Sequence, residues 1–463
     1  MRTGARTLAG IVTLLAALAG QAAGQFGGIG GFGSMGGFGG AEVNTQSAQS
    51  SRLSFSPWIS ANGNYTDVTT KNNPGADQSN FGFGGSGGVN GGKAWERTVL
   101  GGYYTGSYQD VNLPNYRSGY SQVGALMVRH SLTAKSSVSF SEMAGSTIGG
   151  YGYGSPAGVL GGWGLTGTGV FSDLSQGGSY SFGNPASNGV VDNEAFASRV
   201  NFSGTSASWE YQPNLRWNFG TTGSAMFVRR KSAGLSDLDA YSGGANVGYR
   251  ISQRTSVGGG YWYSRFSYPQ QFGGNNVHQA GLQLVSQLTQ RTTFEAQGGA
   301  YYFNTEFLGT VQMDPSLAEL LGQTSALEVQ KKKQSGFTGG ARLTQAWRGY
   351  SFNVGYDHGI TPGNGLMLVS TRDAVTAGAS TNVKRVNLAA YGSYYRLSGV
   401  LQTGSTTDTY TFGGNVGVRL VANLHLGFNG GLARYQTQTS ARQSSRYASV
   451  NLTWSPNNGA YRF

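Results

Sequence analysis

Residues Thr409–Leu420 read T-Y-T-F-G-G-N-V-G-V-R-L. One set of alternate positions holds Tyr410, Phe412, Gly414, Val416, Val418 and Leu420, and the other holds Thr411, Gly413, Asn415, Gly417 and Arg419. A period of two places each set on its own face of an extended chain, so this is a strand with one apolar and one polar face. Ala448, Val450, Leu452 and Trp454 alternate in the same way with Tyr447, Ser449, Asn451 and Thr453. Between Val277 and Leu288, Ala280, Leu282, Leu284 and Leu288 oppose Gln279, Gly281, Gln283 and Gln287. These runs last about ten to twelve residues, longer than the ~5–6 of soluble sheets. About nine to eleven tilted residues cross a bilayer.

Working outward, the strands come in pairs around tight polar turns. The turns align as YRISQRTSVGG around Gln253, LVSQLTQRTTFEA around Gln290 and VRHSLTAKSSVSF around Lys135. The series continues with WEYQPNLRWNF around Asn214, ARLTQAWRGYSFNV around Arg348 and VRLVANLHLGF around Asn423. Less regular members are YYRLSGVLQT near Ser398 and GVNGGKAWERTV near Gly92. Eight hairpins with an initial strand near Leu53–Val68 and a final one near Arg446–Ser455 predict about 18 strands, with 16 also acceptable. The other rim carries longer connections, above all Ile148–Glu194, Glu306–Gln334 and Gly359–Val383. One short helical pattern, roughly Asp314–Glu328, falls inside the second of these.

Short turns on one rim and long loops on the other are the habit of a transmembrane β-barrel with its short turns in the periplasm. In a bilayer every backbone N–H and C=O must be satisfied internally, which leaves helices or closed barrels. No stretch after residue 24 reaches the ~18 continuous apolar residues of a spanning helix. The expectation is an all-β, antiparallel up-and-down barrel over residues 53–463, apolar toward lipid and polar toward the lumen. Only 11% of residues are charged, less than half the ~25% of ordinary soluble domains, and a lipid-facing wall explains the deficit. Aromatic clusters at Tyr261, Trp262, Tyr263, Phe266 and at Tyr301, Tyr302, Phe303 fit interfacial girdles. Glycine is 78 of 463 residues, about 17% against a usual ~7%. Within strands it marks bends and close approaches.

The N-terminus gives the destination. Arg2 and Arg6 precede an apolar run, Leu8–Leu18, and the small residues Ala19, Gly20, Ala22, Ala23 and Gly24 follow. That order is a cleaved secretory signal peptide over residues 1–24. Residues 25–52, beginning QFGGIGGFGSMGGFGG, read as a glycine-rich periplasmic linker. The chain has no cysteine, so neither disulfides nor a lipid-modified N-terminal cysteine can form.

With the signal peptide, turns such as Ser252–Gln253–Arg254–Thr255 and the terminal Phe463 in place, the chain resembles the Gram-negative outer-membrane β-barrel and porin superfamily. The resemblance implies an outer-membrane location and a C-terminal signal, Tyr461 and Phe463, read by the barrel assembly machinery. Gly459 and Asn457 depart from the apolar pattern of such signals. The resemblance covers nearly all of the mature chain, is architectural, and names no solute.

Motifs for chemistry are absent. Histidines 130, 278, 358 and 425 lie far apart, and there is no H-E-x-x-H, EF-hand loop or G-x-S-x-G elbow. No metal, cofactor, catalytic residue or nucleic-acid role is therefore expected. The net charge is +12, or +10 without Arg2 and Arg6. Arg216, Arg250, Arg342 and Arg419 fall on polar faces together with Asn218, Asn246, Gln283, Asn415 and Asn429. Arginines lining a wide lumen favour anions; alternatively they are satisfied by carboxylates such as Glu295 and Asp357. The expected function is a channel for passive diffusion of small hydrophilic solutes, with a weak anion or neutral-solute preference. A structural or export-associated barrel, for example for exopolysaccharide, is the alternative, and an outer-membrane enzyme a third reading. Outer-membrane lipid and lipopolysaccharide are the expected surroundings; the Lys331–Lys333 run reads first as a solvated loop, the alternative being an external loop that bridges lipopolysaccharide phosphates. Monomer and homo-oligomer are equally compatible with the sequence.

Overall fold

The computed structural model describes residues 54–70, 78–110, 118–148, 199–231, 236–269, 273–347, 349–361, 369–400, 406–421, 423–437, 443–455 and 461–462. The signal peptide, the linker, nearly all of Ile148–Glu194 and Phe463 lie outside the described residues.

The strands run β1 (Ser54–Thr70), β2 (Gln78–Ala94), β3 (Thr98–Asp110), β4 (Gly119–Thr133), β5 (Ser136–Ile148) and β6 (Arg199–Tyr211). Next come β7 (Trp217–Arg230), β8 (Leu238–Arg250), β9 (Thr255–Ser267), β10 (Gly274–Thr289), β11 (Thr292–Gln312) and β12 (Ser325–Trp347). The last are β13 (Tyr350–Thr361), β14 (Ser370–Val383), β15 (Val386–Gly399), β16 (Thr406–Val421), β17 (Leu424–Thr437) and β18 (Gln443–Trp454). Each pairs antiparallel with its sequence neighbours, and β1 pairs with both β2 and β18, so the sheet closes on itself. Closure leaves no edge and satisfies the backbone without water. A two-residue β19 (Tyr461–Arg462) continues the line of β18, with Tyr461 opposite Phe55 on β1.

The short turns repeat because the same side-chain chemistry repeats. Ser252 Oγ accepts from the amides of Arg254 (3.1 Å) and Thr255 (3.0 Å), and Asn214 Oδ1 from those of Arg216 (2.9 Å) and Trp217 (3.0 Å). Thr133 and Thr289 take the amides of Lys135 and Arg291 in the same manner. Such short side chains mimic a backbone turn and fix the hairpin register. One expected turn is misplaced. Ser398 sits near the end of β15, and the short turn is instead Lys384–Arg385 between β14 and β15. Likewise, most of Gly359–Val383 is strand, namely the end of β13 and all of β14. Glu306–Gln334 is not a loop but a projecting continuation of the β11–β12 hairpin, tipped by α1 (Pro315–Leu321). Asp314 caps this helix by accepting from the Ser316 amide, and Gly322 closes it in the left-handed region at φ 65°. The hydrogen bonds from the Ser316 hydroxyl and amide hold the Asp314 carboxyl below the ordinary aspartate range.

Register partners share a face, so exposure sorts the wall into outside and inside. Outside stand Ile59, Phe83, Leu126, Phe140, Leu282, Phe337 and Phe412, all exposed apolar side chains. At the short-turn end the outer face carries tryptophans: Trp95, Trp209, Trp217, Trp347 and Trp454. Toward the other rim it carries tyrosines, among them Tyr108, Tyr120, Tyr241, Tyr302, Tyr356 and Tyr410. An apolar band between two aromatic girdles is what a hydrocarbon layer with two interfaces selects. The expected girdle clusters are half right. Tyr261, Tyr263 and Tyr302 face outward, whereas Trp262, Phe266, Tyr301 and Phe303 alternate inward and are buried.

Candidate functional site

The inner wall is the surface on which function can act, and it has three regions. Across β10–β14 the inward rows are charged. Glu295 on β11 lies directly opposite Arg342 on β12, and Gln283 lies opposite Gln297 in the row above. Arg342 is within electrostatic reach of both Glu295 and Asp357. Asp357 on β13 accepts from Gln297 Nε2 at 3.5 Å and forms an ion pair with Arg372 on β14. Gly340 and Gly355 keep the backbone thin here, leaving space in which these side chains converge.

Across β15–β18 and β1 the inner wall is lined by amides. Asn415 faces Asn429, Asn429 faces Ser449, and Ser449 faces Asn64 across successive strands. Asn429 Nδ2 donates to Ser449 Oγ (3.2 Å) and to Asn451 Oδ1 (3.3 Å). The side-chain oxygens of Asn64, Asn218 and Asn415 and both amide atoms of Gln283 have no hydrogen-bond partner among the described residues.

The third region departs from the expectation of a polar inner face. At the long-loop end of β6–β11, Val200, Phe202, Val228, Leu238, Phe266, Val277 and Phe303 point inward and pack as one apolar cluster with Met143 and Tyr268. Burial holds the Tyr268 hydroxyl far above the ordinary tyrosine range, with Arg230 acting in the opposite sense.

Of the sequence-derived positions, Asn218, Arg250, Gln283, Arg342, Asn415, Arg419 and Asn429 all have inward register, as does Asn246. Arg216 lies in the turn before β7, exposed at the short-turn mouth. Gln283 and Arg342 join the charged region and Asn415 and Asn429 the amide region. Arg250 and Arg419 stand apart, each at the short-turn end of its strand and opposite Ser256 and His425. Arg372, Gln297, Asn64 and Asn451 escaped the reading. Their signal is inward parity, which appears only once strand bounds and register are known. Among the described residues no group of three His, Asp or Glu side chains is placed to hold a metal ion. His130, His278 and His358 face outward, bonded to Thr98, Tyr261 and Asp373. Tyr461, on β19, pairs with Phe55 of β1, and its partner in the expected assembly signal, Phe463, is outside the described residues.

No protein-family description matches the sequence, and no curated protein matches it. Solved structures are similar in shape. OpdK of Pseudomonas aeruginosa, crystallised with vanillate, aligns with a TM-score of 0.45 at 10% identity over 87% of this chain and 99% of its own. OccAB4 of Acinetobacter baumannii aligns at 0.43 and 10% identity over 88% and 100%. OccK9 (OpdG) of Pseudomonas aeruginosa aligns at 0.42 and 12% identity over 87% and 98%. Each is a protein that this chain is similar to, and no solute or mechanism passes from them to it.

Proposed function

We propose that this protein is an outer-membrane channel for passive diffusion of small hydrophilic solutes, with a weak preference for anions over cations. The closed wall of 18 long strands carries the reading, because a barrel of 16–18 strands is wide enough for an aqueous lumen. Two further observations support it. The inner wall carries amides and hydroxyls, among them Asn64, Gln283, Asn415, Asn429 and Ser449, the polar lining that an aqueous lumen needs. Below the β11–β12 projection, inward positions among the described residues also hold more cations than carboxylates: Arg129, Arg230, Arg250, Arg342, Arg372 and Arg419 against Glu210, Glu295 and Asp357. A net positive lining raises the local concentration of anions.

The test is conductance of the purified, folded protein in a planar bilayer. The expected result is a steady open channel whose reversal potential in a salt gradient has the sign of anion preference. A barrel showing no steady conductance would defeat the channel reading in favour of a structural or export-associated barrel opened only by a partner.

A further inference from the structure

On the outer face, near the long-loop rim of β9–β12, four polar side chains stand in a single row. Arg265 faces Asn276, Asn276 faces Asn304, and Asn304 faces Lys333 across three successive strand pairings. Arg265 and Lys333 are exposed, and neither has an ion-pair partner among the described residues. Three other outward cations of that rim are held by carboxylates, Arg229 by Asp239, Arg396 by Asp408 and Lys331 by Glu306, and Arg199 donates to Ser146 Oγ. Between the two cations, the Tyr263 hydroxyl donates to Asn276 Oδ1 at 2.8 Å, which leaves the Asn276 amino group as the available donor. Asn304 Oδ1 is buried without a hydrogen-bond partner.

Directly below the row, toward the membrane centre, lies an aromatic platform. Tyr263 and Tyr302 flank His278 with ring centroids 5.1 and 6.3 Å away, and the Tyr261 hydroxyl shares a 2.6 Å hydrogen bond with His278 Nδ1. Rings of this kind settle at the boundary between acyl chains and headgroups. The row above them is therefore at headgroup level, where an unneutralised cation attracts lipid anions. Three strand spacings separate Arg265 from Lys333, about 14 Å at ~4.8 Å per strand. One phosphate cannot span that gap. Two phosphates borne on one sugar headgroup can, with the intervening amides meeting its hydroxyl and amide groups.

We propose that this row is a binding site for the doubly phosphorylated glycolipid of the outer leaflet, with Arg265 and Lys333 each taking one lipid A phosphate and Asn276 and Asn304 the sugar between them. The proposal rests on the outer-membrane placement of the barrel, and it holds whether or not the lumen conducts.

The full-length protein, folded in detergent micelles, is titrated with lipid A and with the same glycolipid stripped of its phosphates, and bound lipid is read by native mass spectrometry. The wild-type protein should prefer the phosphorylated form. Arg265→Gln with Lys333→Gln should bind lipid A about tenfold more weakly, since each exposed charge contact is worth a factor of a few. Arg265→Lys with Lys333→Arg, which keeps both charges, should stay within about twofold. Lys93→Gln, on the outer face at the opposite end, should bind as wild type. Heat-shifted gel mobility confirms that each variant is folded. Equal lipid A binding by the double Gln variant, or equal wild-type binding of the dephosphorylated glycolipid, overturns the site. Fractionation of the cell envelope tests placement separately: a barrel found outside the outer membrane overturns that reading while the micelle titration still reports on the row.

Discussion

Gly244 and Trp262 show what the glycines of this chain accomplish. They face each other across β8 and β9 on the inner wall, and the indole lies flat over the glycine, so that a Cβ there would overlap the ring. The same pairing recurs directly across strands: Gly88 beneath Trp58, Gly84 beneath Asn62, Gly220 beneath Asn246, Gly336 beneath Tyr301 and Gly427 beneath Asn451. On a concave wall side chains converge, and a large residue needs a small one opposite it. The glycine excess is plain in the composition, and a role in close approach follows from it. Which glycine lies beneath which ring does not, because that depends on cross-strand register. Gly244→Val should force Trp262 toward the lumen at a cost of about 1–3 kcal/mol, as overpacking does. It should lower both the temperature at which heat-shifted mobility is lost and the single-channel conductance. Unchanged values for both would remove the steric role assigned to this pair.

At the scale of elements, strands were legible where their outer face is strongly apolar and hidden where it is not. β16 and β18 announce themselves through rows such as Tyr410, Phe412, Val416 and Ala448, Val450, Leu452. β14 reads S-T-R-D-A-V-T-A-G-A-S-T-N-V, and Val375 and Val383 are the exposed large apolar residues on its outer face. With so little contrast between faces it passed for loop, Arg372 was lost with it, and the neighbouring turn was assigned to Ser398. The total of 18 strands survived because one misplaced turn still stands for one hairpin. The true turn has its own signature, since Lys384 adopts φ 52°, the left-handed region that a Cβ disfavours. Lys384→Gly should therefore stabilise the β14–β15 hairpin by up to about 1 kcal/mol, the steric relief being partly offset by the entropy of a freer unfolded chain. A raised midpoint for loss of heat-shifted mobility is the expected result. A lowered midpoint would mean that the Lys384 side chain contributes more to the turn than its backbone conformation costs.

At the scale of the whole molecule the question is which of the inward charges an ion in the lumen would feel. Arg129 is paired with Glu210 at 3.1 Å, Arg372 with Asp357, and Arg342 lies opposite Glu295. Arg230 is buried and donates to the Ser236 carbonyl. The partly satisfied reading of the arginines thus fits Arg342, and Arg250 and Arg419 lie at the short-turn mouth in register with Ser256 and His425. Below the β11–β12 projection, six cations and three carboxylates at inward positions among the described residues leave a balance of 6 − 3 = +3. Changing Arg250 and Arg419 to glutamate makes it 4 − 5 = −1, a change of sign located at the short-turn mouth of the lumen. Such fields act within a screening length of about 10 Å at 0.1 M salt and about 30 Å at 0.01 M, so the effect should grow as the gradient is made more dilute. The double variant should shift the reversal potential from the anion side toward cation selectivity, with conductance retained because no wall residue is removed. Arg342→Gln should move it less, since Glu295 and Asp357 already offset that charge. If the double variant keeps the wild-type reversal potential at low salt, the mouth arginines do not set selectivity, and the charged region on β11–β14 becomes the place to look.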